Sequence, residues 1–174
     1  MKQFLFVLLA ASLASSAVAQ NRVRLDERAT VLFPGKVEQM DSEAGLIRYS
    51  TLDRENKVTG MATVIDARQY GVDSAMIIAN YHNPMFVDLI LQGLLGQYPG
   101  VELISKRKIA RGRFMGYELE FRNDRPDEKV PYRDLYAQVF FAGADIYALT
   151  VLAEDKATDT PLLKEKFFSS LDIQ

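Results

Sequence analysis

Residues 135–153, LYAQVFFAGADIYALTVLA, decide the fold class. Two apolar runs, 135–142 and 145–153, are separated only by Gly143 and Ala144. Runs of this length, rich in β-branched and aromatic residues, read as strands, and a Gly-X link between them suits a type II′ turn. The pair is therefore an antiparallel hairpin.

The same pattern repeats upstream. Residues 101–110 and 114–123 form a second hairpin joined at Arg111-Gly112. In its second strand Tyr117, Leu119 and Phe121 face one way, and Glu118, Glu120 and Arg122 the other. Residues 46–52 alternate, with Ile47, Tyr49 and Thr51 on one side and Arg48 and Ser50 on the other; a polar turn at 53–57 leads to a partner strand at 58–67. Residues 30–33 are a short β-prone run stopped by Pro34-Gly35. Residues 20–29 are polar and predict a flexible lead-in.

Two stretches break this period. Asn83 suits an N-cap and Pro84 the first helical position, where its missing N–H costs nothing. From Met85 to Leu95 only Asp88, Gln92 and Gly93 are not large apolar residues. A helix apolar nearly all round is predicted to be largely buried. The second helix is capped by Thr160 and opened by Pro161, with Leu163, Phe167 and Leu171 on one stripe and Leu162 and Phe168 beside it. Residues 75–79 fit either a helical turn or a short strand. The order is strands, helix, four strands, helix. Hairpins dominate, so the expected fold is α+β: a mainly antiparallel sheet with helices on its faces.

The N-terminus suggests a compartment. Lys2 is the only charge in residues 1–19; an apolar run follows at 4–13, and Ala17-Val18-Ala19-Gln20 supplies an A-x-A cleavage pattern. This is the layout of a secretory signal peptide cut after Ala19, which predicts a mature start at Gln20 and a periplasmic or extracellular product. The apolar run is too short for a stable membrane anchor, and no later stretch reaches about 18 apolar residues. With no cysteine in the chain, lipid attachment at the signal site and disulfide staples are both excluded. Residues 30–174 then form one domain of ordinary size. The first nineteen residues hold one of the 21 basic residues and none of the 23 acidic ones, so the remainder has a formal charge of −3. Such a chain offers no electrostatic footprint for nucleic acid.

Catalytic signatures are sparse. His82 is the only histidine, and a Ser-His-Asp system would have to use it. Its neighbours look like the start of a helix, so it reads as a capping or surface residue. No G-x-S-x-G turn occurs, and a zinc site built on His and Cys lacks its ligands. Asp41 with Glu43, and Asp124, Asp127 and Glu128, do not match the spacing of a calcium loop. The second group, mixed with Arg125 and Lys129, reads as a solvated loop. Lys106, Arg107 and Lys108 with Arg111 and Arg113 form the densest basic stretch. With Arg111 and Gly112 at the turn, Lys106 and Lys108 come close to Glu118 and Glu120, so cross-strand pairing is favoured over a phosphate site. Tyr136, Phe140, Phe141 and Tyr147 read as core, with a small-molecule pocket as the alternative. The polar loop at 123–132 is the best contact candidate, because loops carry contacts. The residues yield no catalytic, cofactor-binding or metal assignment.

Several segments together resemble a known family. They are VLFPGK at 31–36, GYELEF at 116–121, Tyr136 with VFFAGADIYALTV at 139–151, and FFSSLDI at 167–173. In order and spacing they resemble the PsbP/Mog1-like superfamily, particularly its small secreted bacterial members, over about residues 30–174. Ala144 and Leu171 depart from residues frequent among relatives, as packing changes. The resemblance implies an α-β-α sandwich around an antiparallel sheet. It also implies binding rather than catalysis: one branch assists the photosystem II oxygen-evolving complex, and another binds the small GTPase Ran. No catalytic residue set belongs to the family. The expected function is a secreted non-enzymatic binding or accessory protein of the bacterial envelope. The alternatives are a carrier of a small apolar ligand or lipid, which needs an apolar cavity that the aromatic strands and the 85–95 helix could line, and a hydrolase using His82 or a carboxylate pair.

Overall fold

The computed structural model describes residues 21–40, 45–96, 98, 100–155 and 157–174, with Leu95 described in its backbone only. The predicted secretion signal, its cleavage point and the Asp41/Glu43 pair lie outside the described residues.

The 135–153 stretch forms two long strands, β8 (Tyr132–Ala142) and β9 (Asp145–Glu154). Their register runs to Ala142↔Asp145 across Gly143-Ala144. Gly143 has φ +72° and Ala144 does not take a positive φ, the sign pattern of a type II′ turn. Successive residues of β9 serve opposite faces. Tyr147, Leu149 and Val151 enter one core, while Ile146, Ala148 and Leu152 enter the other. A strand buried on both sides does not alternate apolar with polar, which explains why β9 is apolar between its ends except at Thr150.

This hairpin is the centre of a seven-stranded sheet. On one side of it lie β7 (Phe114–Arg122) and β6 (Glu102–Arg111). On the other lie β5 (Val58–Asp66), β4 (Leu46–Asp53) and β3 (Glu38–Met40). The spatial order is β3-β4-β5-β9-β8-β7-β6, and every described pairing is antiparallel. One face carries α1 (Ser74–Asn80) and α2 (Pro84–Leu95). The opposite face carries α3 (Thr160–Ser169) and a second, three-stranded sheet. The layers are those of an α+β sandwich around an antiparallel sheet.

Three expectations change here. The 20–29 lead-in is not loose over its described part: Asn21–Arg24 is β1, paired along its whole length with β2 (Ala29–Phe33). β2 does not join the main sheet; it is the middle strand of the small one, flanked by β1 and β10 (Asp172–Ile173). A polar strand is stable there because Val31 and Phe33 of its partner fill the core and the Phe33 ring packs on Phe167, centroids 5.1 Å apart. Asp26 fixes the β1–β2 turn by accepting from the Arg28 and Ala29 amides and from the buried Tyr147 hydroxyl at 2.6 Å. Thr160 is not the N-cap of α3: Asp159 holds that place with φ +54° and no side-chain cap bond, and Thr160 is the buried first helical residue. Asn83, by contrast, does cap α2, its side chain accepting from the Met85 amide at 3.1 Å. Finally, α2 is not largely buried. Val87 and Leu91 reach the core, but Met85 is 81% and Leu89 69% exposed.

Candidate binding site

The exposure of α2 has a geometric cause. Seven strands spaced ~4.8 Å apart make a face roughly 29 Å wide, whereas one helix with its side chains covers about 10–12 Å. α2 therefore covers the middle of the face and leaves a gutter along each flank. On the β6–β7 side the gutter has a volume of about 490 Å³ and runs over Leu103, Leu119 and Phe121. On the β4–β5–β9 side it has a volume of about 470 Å³. Both volumes fall within the ~300–1,000 Å³ typical of small-ligand sites.

The second gutter is the better-formed site. Its floor comes from Ile65, Ile146 and Ala148, and α2 supplies Leu89, Ile90 and Gly93 as a wall. The far wall is set by a 3₁₀ turn at Ala67–Tyr70, started by Asp66, which accepts from the Arg68 amide, and stopped by Gly71 at φ +74°. Tyr70 and Val72 from this segment close the rim. Three polar side chains enter this apolar enclosure: Arg48, Thr63 and Thr150. They are neighbours across the sheet, since Arg48 pairs with Thr63, Thr63 with Ala148, and Met61 with Thr150. The two threonines are buried, and Arg48 is half-buried. Gly93 leaves the wall low: a Cβ built there would have no heavy atom within 4 Å.

The residues singled out in the sequence fall elsewhere. His82 is exposed on the α1–α2 link, its ring 3.9 Å from that of Tyr81, and among the described residues it makes no hydrogen bond or ion pair. No described serine or threonine hydroxyl bonds it. The 123–132 loop lines a polar hollow with Glu102, Asn123, Asp124, Asp127 and Lys129. One of its carboxylates is spent on the loop's own backbone, Asp127 accepting from the Lys129 and Val130 amides. Phe140, Phe141 and Tyr147 are core; Tyr136 packs against the same interior, so none of the four lines a gutter.

The basic strand is paired with acids as expected in kind, but not through the residues expected. Arg111 pairs with Phe114, so the turn centres on Gly112-Arg113 rather than Arg111-Gly112. Directly opposed residues share a face, and moving a two-residue turn by one position shifts the pairing by two, so either turn puts Arg107 on the Glu118 face. Arg107 lies opposite Glu118 and bonds it, whereas Lys106 lies opposite Leu119 and turns under α2 to bond Asp88. Burial pushes the Glu118 carboxyl up, but hydrogen bonds from Gln138 and Arg107 and the charges of Arg107 and Lys164 outweigh it and hold it below the ordinary value.

The 85–95 helix was the expected wall of a cavity, but the polar gutter residues Arg48, Thr63 and Thr150 went unnoticed in the sequence because no motif marks them. The available signals were Arg48 between Ile47 and Tyr49 in an alternating strand, and Thr150 within the apolar run 146–153.

No protein-family model matches the chain, and no curated protein matches its sequence. Solved structures do match. The solution structure of cyanobacterial PsbP (CyanoP) from Synechocystis superposes with a TM-score of 0.65 at 16% identity, over 95% of this chain and 99% of that one. The Saccharomyces cerevisiae Ran-binding protein Mog1p superposes with a TM-score of 0.50 at 8% identity, over 90% of this chain and 96% of that one. Identities this low establish likeness of architecture alone. The layered sheet, the helices on its two faces and these superpositions together make this a PsbP/Mog1-like fold.

Proposed function

We propose that the chain is a non-catalytic binding protein of the bacterial envelope that takes a small apolar ligand on the α2 face of its sheet. The observation that carries this reading is the uncovered gutter beside α2, with apolar floor and walls and a few converging polar groups. That is the usual composition of a ligand site. A fully packed sandwich would have left only flat surface for contacts. One neighbour of the same fold is named as a Ran-binding protein, which also fits a binding role. The envelope location rests on the signal pattern of residues 1–20, and N-terminal mass spectrometry of exported protein tests it. Gln20, free or cyclised to pyroglutamate, is the expected end; Met1 on exported material overturns it.

The binding role is tested with the neutral fluorophore N-phenylnaphthylamine. The folded protein is expected to take it up with a blue-shifted rise in emission. Gly93→Leu is expected to abolish uptake by filling the gutter, while gaining up to about 1 kcal/mol of helix stability from the loss of glycine. No uptake by the natural chain, or equal uptake by the variant, overturns the assignment.

A further inference from the structure

Among the described residues, Arg48 is the only charged side chain lining the β4–β5–β9 gutter. Its Nε is shut off from solvent and has no hydrogen-bond partner, and no described carboxylate forms an ion pair with it. Other arginines of the chain do find partners: Arg28, Arg68, Arg107, Arg122 and Arg133 each meet an acid. A buried donor on a cation without an acceptor is costly and calls for an explanation. Here the side chain sits at a fixed place in a register: on β4, two strands from β9, at the edge of the gutter away from α2. The surface between Arg48 and α2 is Thr63, Ala148 and Ile146 on the floor, then Leu89 and Ile90 on the wall. The gutter is therefore polarised, cationic at the β4 end and apolar towards α2.

We infer that this gutter binds an anionic amphiphile, specifically an acyl-chain monocarboxylate, with the carboxylate on the Arg48 guanidinium and the chain laid along the apolar floor against α2. The inference rests on the binding role proposed above and adds the chemical class of the ligand. A planar guanidinium matches a planar carboxylate in a two-point hydrogen bond and supplies the acceptor that Nε lacks. One cation balances one negative charge; a phosphate monoester, carrying close to two at neutral pH, leaves charge uncompensated in an apolar enclosure. The Thr63 and Thr150 hydroxyls stand on the same floor and offer further polar contact to the head group.

The test is displacement of N-phenylnaphthylamine from the natural chain and from Arg48→Met, which keeps an unbranched side chain and removes the charge. Dodecanoate is expected to displace the dye from the natural chain about tenfold more effectively than dodecanol, as one charge-assisted pair requires. In Arg48→Met the dye still binds, dodecanol competes as before, and the advantage of dodecanoate disappears. Equal competition by dodecanoate and dodecanol on the natural chain overturns the inference, and needs no variant. An undiminished preference for dodecanoate in Arg48→Met, or stronger competition by dodecyl phosphate than by dodecanoate, overturns it as well. Failure of the dye to bind the natural chain at all overturns instead the binding role itself. Should Arg48→Met not fold, Arg48→Gln removes the charge while keeping a polar donor, and is read in the same way.

Discussion

Arg111→Met is expected to lower the stability of the fold by about 3 kcal/mol, because this side chain closes the end of α3. A helix leaves its last carbonyls without intrahelical partners and concentrates partial negative charge there. Arg111 stands at the end of β6 and reaches across the sandwich to that terminus. Its Nη1 donates to the carbonyls of Leu171 at 2.7 Å and Ser169 at 3.1 Å, and its Nη2 donates to that of Phe168 at 2.8 Å. Its guanidinium also lies 5.2 Å from the centre of the Phe140 ring. Burial pushes its pKa below the ordinary arginine value, with only the charge of Asp172 opposing. The cation is therefore held mainly by carbonyl dipoles. Methionine can still fill the space over Phe140 but leaves the three carbonyls partly shielded from water. Three bonds to a charged donor do not add fully, so the figure lies well below their sum. Urea unfolding should show the loss, and the thermal midpoint should fall by roughly 6–12 °C in a chain of this size. Arg111→Lys should recover less than half, since one ammonium cannot reproduce a planar fork serving three acceptors. A loss below about 1 kcal/mol for Arg111→Met would mean that water replaces the guanidinium at no cost, and the closure of α3 by β6 would be wrong.

The hairpins were legible in the sequence because each is decided locally. Gly143-Ala144 between two β-prone runs leaves few alternatives, and the alternation of Tyr117, Leu119 and Phe121 with charged residues sets one face of β7. The features that went astray all depend on elements far apart in sequence. The burial of α2 cannot be read from Met85, Leu89 and their neighbours, because it depends on how wide a sheet lies beneath the helix; seven strands outreach it. The partner of Lys106 is Asp88 of α2, which the β6–β7 hairpin alone does not reveal. β1 is polar and exposed on most of its length, so its pattern is that of a loop; only β2 beside it makes it a strand. Arg48, too, has an ordinary sequence context, since an arginine on an alternating strand reads as a solvent-facing residue. Its surroundings become unusual only when Tyr70, from the turn after β5, and α2 wall off the space above it. Architecture was thus legible from local pattern, and the candidate site was not, because the gutter is a residue of incomplete coverage between layers.

Gly116→Ala is expected to cost about 3 kcal/mol or more, opposite in sign to the usual effect of this change. Alanine in place of glycine ordinarily stabilises by about 0.4–1 kcal/mol where the backbone tolerates it, by restricting the unfolded chain. Gly116 lies in β7, paired with Ile109 on one side and Phe140 on the other. A Cβ built there would meet the Val139 carbonyl oxygen at 2.3 Å and the Phe140 Cδ1 at 2.7 Å. A flexible side chain could yield; a strand carbonyl inside the sheet cannot move without disturbing the ladder. The absent side chain is what lets the Phe140 ring lie close over β7 and present itself to Arg111. The two large effects therefore meet at one ring, and a double-mutant cycle separates them. Phe140→Leu should relieve only the ring contact of Gly116→Ala, leaving the clash with the Val139 carbonyl, so the double variant should recover part of the loss and no more. Full recovery would place the whole constraint in the ring. A Gly116→Ala protein as stable in urea as the natural chain would mean that β7 and β8 can separate locally without loss, which the continuous pairing from Met115↔Phe141 to Arg122↔Asp134 does not permit.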